Sequence, residues 1–219
     1  MKKKPTAADV LVCLIMLIPL IYLGSIYSSL PASIPTHFNF HGPDQYSEKA
    51  ESWVFVGILT GSSFFMYLLL KNLPSIDPKR TAASSSQLLS KLSFILVIFF
   101  VVLQLLIINA MRGNLFSVEK LLLPTISIFL SLMGNLMINM KPNYFVGIRV
   151  PWTLENEDNW KKTHRLGGKL WFAGGLIAAV FTIILPYQYA VAAFMVIIGI
   201  MVIIPIGYSY LYFKKHQQD

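Results

Sequence analysis

The sequence predicts an all-α membrane protein: a bundle of about six transmembrane helices with both termini in the cytoplasm. Hydrophobic residues make up 55% of the 219 positions and the mean hydropathy is +0.62, values that are not typical of soluble domains. Six apolar runs are long enough, or nearly so, to cross a hydrocarbon core of roughly 30 Å. With a cytoplasmic N-terminus, only Lys49, Arg112 and Lys120 of the 18 basic residues fall outside, so the positive-inside rule predicts this orientation.

The six apolar runs have no Asp, Glu, Lys, Arg or His in their central portions. They lie at about Ala8–Leu30, Trp53–Leu70, Leu92–Met111, Leu121–Met140, Leu170–Pro186 and Ala190–Phe213. The second and fifth runs are short and are expected to cross nearly upright. The first run follows a cluster of lysines, as a signal peptide would, but its apolar core is longer than a usual signal core, so we expect an uncleaved helix.

The connectors divide the chain into three predicted parts. Residues 1–70 form a two-helix unit with an extracellular loop at 31–52, and residues 71–90 form a cytoplasmic linker. Residues 91–219 form a four-helix unit with a cytoplasmic loop at 141–169. Because the net charge of +8 is spread over short loops beside the spans, the lipid bilayer is the expected partner, and no direct contact with nucleic acid is predicted.

The extracellular loop is the first candidate site. Alternation of apolar and polar residues from Ile34 to Phe40 predicts a short extended segment, and residues 42–44, Gly-Pro-Asp, predict a turn. His37 and His41 are either paired metal ligands, for which no third ligand at a defined spacing is present, or interfacial histidines that cap the loop; we predict no metal. The loop is also a candidate docking surface for a partner, with predicted contacts at His37, Phe38, His41, Asp44 and Lys49.

Amide side chains within the spans are expected to face the bundle interior, because amides in hydrocarbon need hydrogen-bond partners. Asn135 and Asn139 lie four residues apart and share one helix face, and Gln104 lies in the middle of the third run. We predict that these three residues form a polar core, either as structural hydrogen-bonding groups or as the lining of a ligand cavity. Gly175 and Ala179 in the fifth run form a pair of small residues that permits close helix approach.

The segment from Asn143 to Gly168 is the second candidate site, because it is dense in glycine, proline, tryptophan and basic residues between two apolar runs. It contains no nucleophile-and-base pattern, nucleotide-binding loop or zinc-protease motif, so neither an enzyme activity nor a cofactor is predicted. His164 is the side chain in it that could act as a base. Its three acidic residues lie among basic residues, which indicates local ion pairing on a helix that enters the membrane.

Two interpretations of this segment are open. Its tryptophans could lie at the headgroup level as membrane anchors. Alternatively, Pro151 restricts the residue before it to extended geometry and holds Arg149 and Trp152 in a fixed relation. Arg149 could then bind a carboxylate, either Glu155 or Glu157 of the same loop or an acid on a partner. The predicted contact residues are Gly147, Arg149, Pro151, Trp152, Thr153, Trp160 and Arg165.

The second candidate site also resembles the signature of the SdpI-type immunity protein family. The resemblance is carried by the run Gly147-Ile148-Arg149-Val150-Pro151-Trp152-Thr153-Leu154, followed by Trp160, Arg165 and Gly167. The family usually has Thr where this chain has Val150. The outer segment is similar to the companion domain at the family's N-terminal end, through Ile34-Pro35, His37-Phe38, Gly42, Asp44 and Lys49.

This resemblance implies a bacterial plasma-membrane protein that protects the cell from a secreted, membrane-active peptide toxin. It also implies a signalling role, in which a cytosolic repressor is held at the membrane. We therefore predict a non-enzymatic immunity or signal-receptor protein whose extracellular loop engages the toxin and whose cytoplasmic loop contacts the regulator.

Two other classes of function are open. A small transporter or exporter of a peptide or amphiphile is the alternative, but ion-coupled transport normally needs ionisable groups in mid-span, and the six runs have none there. A membrane enzyme is the third possibility, and the sequence offers it no convincing set of acid, base, nucleophile or metal ligands.

Overall fold

The computed structural model describes residues 6–39, 42–76, 86–114, 116–143 and 145–216. Of these described residues 80% are helical, and they contain six helices long and apolar enough to cross a membrane. The predicted all-α, multi-span membrane fold is therefore confirmed. The helices are α1 (Ala7–Ile26), α2 (Glu51–Ile76), α3 (Ser86–Met111), α4 (Phe116–Met137), the short α5 (Pro151–Glu155), α6 (Glu157–Ile184) and α7 (Tyr187–Lys215).

The second and fifth spans are longer than predicted. Helix α2 has 26 residues and α6 has 28, so the expectation of short helices is wrong. Helix α6 begins at Glu157 because Asn156 caps it: the Asn156 side chain accepts a hydrogen bond from the backbone N–H of Asn159 at 2.9 Å. The predicted loop at 141–169 therefore ends at residue 156, and the polar residues beyond it are helical.

The outer segment forms a β-hairpin. Strands β1 (Ser33–Asn39) and β2 (Gly42–Glu48) pair antiparallel, with Ser33 opposite Glu48 and Asn39 opposite Gly42. The turn predicted at residues 42–44 is wrong, because these residues already belong to β2. Gly42 has a φ of 112°, a conformation that glycine adopts without the steric cost of a side chain, and so the strand can begin there directly.

Two compact units make up the chain. The first contains Met1–Leu68 and Ser93–Thr125, so it includes most of α3, which the sequence-based division assigns to the other part. The core of this unit is an apolar cluster in which every member is at most 4% exposed. Its members are Leu23, Leu30, Ile34, Val56, Ile108 and Met111. Ile34 belongs to β1, so one buried side chain fixes the hairpin to the helices of its own unit.

The second unit contains Leu69–Leu92 and Ile126–Asp219. Small residues let α6 lie close against α4 in this unit. A Cβ atom added at Gly175 would lie 2.6 Å from the backbone nitrogen of Ser131, and one added at Gly168 would lie 2.8 Å from the carbonyl oxygen of Gly134. The close approach expected at Gly175 is thus observed, and the Ser131 hydroxyl donates to the Phe172 carbonyl at 2.9 Å across the same contact.

Candidate functional site

The connector between α4 and α6, residues 138–156, holds most of the predicted inner site and is built from hydrogen bonds between side chains and backbone. Its first bend is formed by Asn143, which is 5% exposed. The Asn143 carboxamide oxygen accepts from the backbone N–H groups of Phe145 at 2.9 Å and Val146 at 2.8 Å, and its nitrogen donates to the Lys141 carbonyl at 3.0 Å. One buried amide therefore fixes the backbone where α4 gives way to the connector.

Gly147 and His164 are in direct contact. Gly147 has a φ of 122°, and a Cβ atom at this position would collide with Nε2 of His164. The same Nε2 atom accepts the backbone N–H of Ile148 at 2.9 Å, while Nδ1 lies 2.9 Å from the Trp160 carbonyl. Since a nitrogen that accepts a hydrogen bond carries no proton, the imidazole is neutral, with its proton on Nδ1. His164 is fully buried with both nitrogens bonded, so the role of a base considered from the sequence does not fit this geometry.

Trp160 is part of the interior. It is 0% exposed, its indole N–H donates to the Met140 carbonyl at 2.9 Å, and its ring stacks on His164 with centroids 3.9 Å apart. Neither an anchor at the headgroup level nor a direct contact with a regulator is compatible with this burial. Because α6 starts earlier than predicted, Trp160, Thr163, His164 and Gly167 lie along the buried face of a helix.

Helix α5 holds the backbone around Arg149 through hydrogen bonds of its Thr153 side chain. Pro151 occupies its first helical position, where the missing N–H is not needed. Thr153, 1% exposed, donates to the carbonyls of Ile148 at 2.8 Å and Val150 at 2.9 Å, and its hydroxyl oxygen accepts the N–H of Val150 at 3.2 Å. The backbone on both sides of Arg149 is therefore held by one buried threonine.

The connector is also fixed to α7. The Trp152 indole N–H donates to the Ser209 hydroxyl at 2.7 Å, and its ring packs against Tyr210 and Phe213. Asn159, fully buried, donates to the Ser209 carbonyl at 3.0 Å and to the Trp152 carbonyl at 3.3 Å. Trp152 therefore has a packing role beside any recognition role.

The predicted ion pairs of the inner segment are confirmed for two lysines. Lys161 lies 2.9 Å from Glu157, and Lys162 lies 2.8 Å from Asp158. Glu157 is thus engaged by Lys161, and the internal pairing of Arg149 with an acid of its own loop is not formed. Arg149 is exposed, and within the described ranges its guanidinium has no ion pair or hydrogen bond.

The exposed residues of the connector form a second group. Phe145 is 40% exposed and Leu154 is 37% exposed, and Arg149, Pro151 and Glu155 are exposed with them. Arg165, on α6, is exposed as well. We call Phe145, Arg149, Leu154 and Glu155 the connector surface. It combines one unpaired cation, one anion and two apolar side chains on a backbone that buried groups hold in place.

The predicted contact residues of the outer hairpin separate into two places. His37 donates to Asp44 at 2.6 Å and Asn39 donates to the same carboxylate at 3.0 Å, near the end of the hairpin where β1 and β2 meet. The hydrogen bond from His37 lowers the pKa of Asp44 below its usual 3.8. Lys49 lies at the opposite end, with its ammonium group 4.9 Å from the centre of the Tyr27 ring.

The remaining predictions for the hairpin concern Phe38, His41 and a metal site. Phe38 is half-buried between the exposed His37 and Asn39, while His41 lies outside the described residues. Across the described ranges no three His, Cys, Asp or Glu side chains come together in a way that could hold a metal ion.

The predicted polar core is only partly interior. Gln104 is 1% exposed, and its side-chain oxygen accepts the Thr60 hydroxyl at 2.8 Å. Asn135 and Asn139 are exposed, so the interior position predicted for them is wrong. The reason is that the small residues Ser127, Ser131 and Gly134 occupy the face of α4 that packs on α6, which turns both asparagines away from that contact.

Sequence reasoning missed Asn143, Asn159 and Ser209 and considered His164 only as a base. One signal was available, because Asn156 followed by Glu157 and Asp158 is the usual start of a helix. An earlier helix start would have placed Trp160 and His164 one turn apart on the same face. The bonds from Asn143 and Asn159 join irregular backbone to distant residues, and no local pattern encodes them.

Known proteins are similar to this chain in two segments and along its length. Residues 139–209 match the SdpI/YfhL protein family, and residues 14–60 match a domain of unknown function, DUF1648. The predicted resemblance to the SdpI-type family is confirmed. Over 213 residues the chain is 26% identical to the immunity protein SdpI of Bacillus subtilis (strain 168), covering 97% of each chain. No solved structure gives a significant match.

Proposed function

We propose that this chain is an integral membrane immunity protein that gives a bacterial cell resistance to a secreted, membrane-active peptide toxin. The observation that carries the proposal is the match to a protein named for immunity, which spans 97% of both chains. The family segment at residues 139–209 contains all but the first residue of the connector, with α5, α6 and much of α7. The interlocked bonds of the connector therefore lie within the part of the chain that the family shares.

The β-hairpin is the proposed toxin contact. His37, Asn39 and Asp44 form an exposed polar cluster beside the half-buried Phe38, which suits a peptide that carries both apolar and basic residues. The Asp44 carboxylate is charged at neutral pH, as an aspartate with an ordinary or lowered pKa is, and His37 and Asn39 hold it in a fixed position from which it attracts a cation. This assignment rests on the predicted orientation, with the hairpin outside the cell.

The connector surface is the proposed contact for a cytosolic regulator, such as a repressor held at the membrane. Arg149 presents a planar fork of N–H donors that binds a carboxylate in two-point fashion. Its exposure and its freedom from internal pairs within the described ranges leave that fork open to an acidic residue of a partner. Phe145 and Leu154, which are exposed in the same connector, add apolar contact area.

A protection assay tests the immunity proposal. A toxin-sensitive bacterium expressing the full chain is exposed to candidate secreted peptide toxins, and its survival is compared with that of cells carrying the empty vector. The proposal expects survival for at least one toxin, and a loss of that survival in a variant with Asp44→Lys at normal membrane levels. No protection against any membrane-active peptide would contradict the immunity function. Protection that Asp44→Lys leaves intact would contradict only the hairpin as the contact.

Cysteine labelling tests the orientation on which both contacts depend. In a Cys13→Ser background, Tyr46→Cys on the 59% exposed Tyr46 position is expected to react with an impermeant thiol reagent in intact cells. Lys214→Cys in the last turn of α7 is expected to react only after the membrane is opened. The reverse labelling pattern would place the hairpin in the cytoplasm and the connector outside the cell, and would contradict both proposed contacts.

A further inference from the structure

A polar cleft lies at one end of the second unit, where α3 begins and α4 ends. Its volume is about 430 Å³, which is within the range of small-ligand sites. The described lining residues all belong to the second unit, and none of them is an acid. They are Ser86, Gln87, Leu88, Lys91, Asn135, Leu136, Asn139 and Lys141.

The donors of this cleft suit an anionic oxygen ligand. Lys91 and Lys141 bring two positive charges to it, and Asn135 and Asn139 bring carboxamide N–H groups. All four side chains are exposed, and the structure gives them no ion pair or hydrogen bond within the described ranges. Ammonium and amide N–H groups with no carboxylate among the described lining residues repel a cation and suit a phosphate or carboxylate, which they bind through charge-assisted hydrogen bonds.

The position of the cleft indicates where such an anion comes from. The candidate span of α3 starts at Ser86 and that of α4 ends at Met137. The cleft therefore lies at the ends of two spans, where lipid headgroups are expected. Leu88 and Leu136 stand in its lining beside the charged groups, which gives an amphiphile an apolar contact next to the polar one. A free anion in water would gain nothing from these leucines.

We propose that this cleft binds the phosphate of an anionic lipid headgroup, with Lys91 and Lys141 as the cationic contacts and Asn135 and Asn139 as hydrogen-bond donors. This site is distinct from the proposed toxin and regulator contacts and does not depend on the immunity function. It also gives a role to two asparagines that the bundle interior does not use.

Lipid titration monitored by native mass spectrometry tests the site on the full chain in detergent. Phosphatidylglycerol is the anionic probe and phosphatidylcholine the net-neutral one. The double variant Lys91→Gln/Lys141→Gln is expected to weaken phosphatidylglycerol binding roughly thirtyfold, since each of the two lysines near an anionic lipid surface contributes about fivefold, with little change for phosphatidylcholine. Lys214→Gln/Lys215→Gln removes the same charge from exposed positions of α7 and is the matched control, expected to retain binding.

Two further variants separate a site from diffuse charge. Lys91→Arg/Lys141→Arg keeps the charge and is expected to keep the preference, while Asn135→Ala/Asn139→Ala keeps the charge and is expected to weaken it. Equal losses in the cleft and control lysine variants would overturn the proposal, as would no loss in the cleft variants. Cleft-dependent binding of inorganic phosphate without any preference between the two lipids would assign the site to a free anion and would equally overturn the lipid.

Discussion

The connector and the β-hairpin are both predicted sites outside the apolar spans, but the structure builds them in opposite ways. The connector is held by buried polar side chains, Asn143, Thr153, Asn159 and His164, each of which makes two or more hydrogen bonds. The hairpin exposes its polar cluster and is fixed to its unit by the buried Ile34 and by Lys49 at its end. A segment rich in polar, glycine, proline and aromatic residues therefore forms a rigid support in the connector and an exposed surface in the hairpin.

The largest effect is expected at Gly147. Gly147→Ala combines a positive φ that a side chain disfavours with a Cβ atom in the position of His164 Nε2, and we expect a loss of about 3 kcal/mol in unfolding free energy. Gly42→Ala is the matched change in the hairpin, where φ is also positive but no atom of the described residues lies within 4 Å of the added atom, so strain alone is expected to cost about 1 kcal/mol. Thermal unfolding in detergent compares the two, and equal shifts would contradict the contrast.

Asn159 offers a second comparison of buried and exposed amides. Asn159→Ala removes donors to the Trp152 and Ser209 carbonyls and leaves these groups without that partner in the interior, which is expected to cost about 2 kcal/mol. Asn39→Ala in the hairpin removes an exposed bond to Asp44 and is expected to cost about 0.5 kcal/mol or less. The same unfolding measurement applies, and a hairpin variant as unstable as the connector variant would show that exposure does not explain the difference.

The sequence predicted the spans because hydropathy is a local property of each window of residues. It predicted the extended segment of β1 from alternation and the ion pairs from neighbouring acidic and basic residues, for the same reason, whereas β2 was missed. The start of α6 was misplaced because charged residues from Glu157 to Lys162 resemble a loop by composition, although the Asn156 cap and the one-turn charge spacing favour a helix. The exposed position of Asn135 was missed because α4 carries polar residues on two of its faces. Only the packing on α6 decides which of these faces is buried.

Arg149 separates function from stability within the connector. Arg149→Lys keeps the charge of an exposed side chain that has no internal partner in the described ranges, so the unfolding temperature is expected to stay unchanged. The loss of two-point carboxylate binding is expected to weaken the regulatory response roughly tenfold, as for a hydrogen bond to a charged group, measured with a reporter of the regulator's target. Arg112→Lys, in the first unit and outside the predicted regulator contacts, is the control. A variant at 149 that fails to accumulate would instead make this arginine part of the rigid support.

The smallest effect is expected at Asp44, and it depends on pH. The hydrogen bond from His37 depresses the folded pKa of Asp44, so its stabilising contribution is present above the ordinary carboxyl pKa of 3.8 and is lost as the pH falls through the lowered folded value. Because the pair is exposed and screened by solvent, this contribution is small. Both partners belong to the hairpin, so its effect is expected there. Asp44→Asn is therefore expected to speed amide exchange in Ser33–Asn39 slightly at neutral pH, to leave global unfolding unchanged, and to match the wild-type chain in acid.

A shift in global unfolding would mean that the hairpin cluster supports the helices as the connector network does. Identical exchange at neutral pH would mean that the pair does not order the strand, and that Ile34 and Lys49 alone hold the proposed toxin contact.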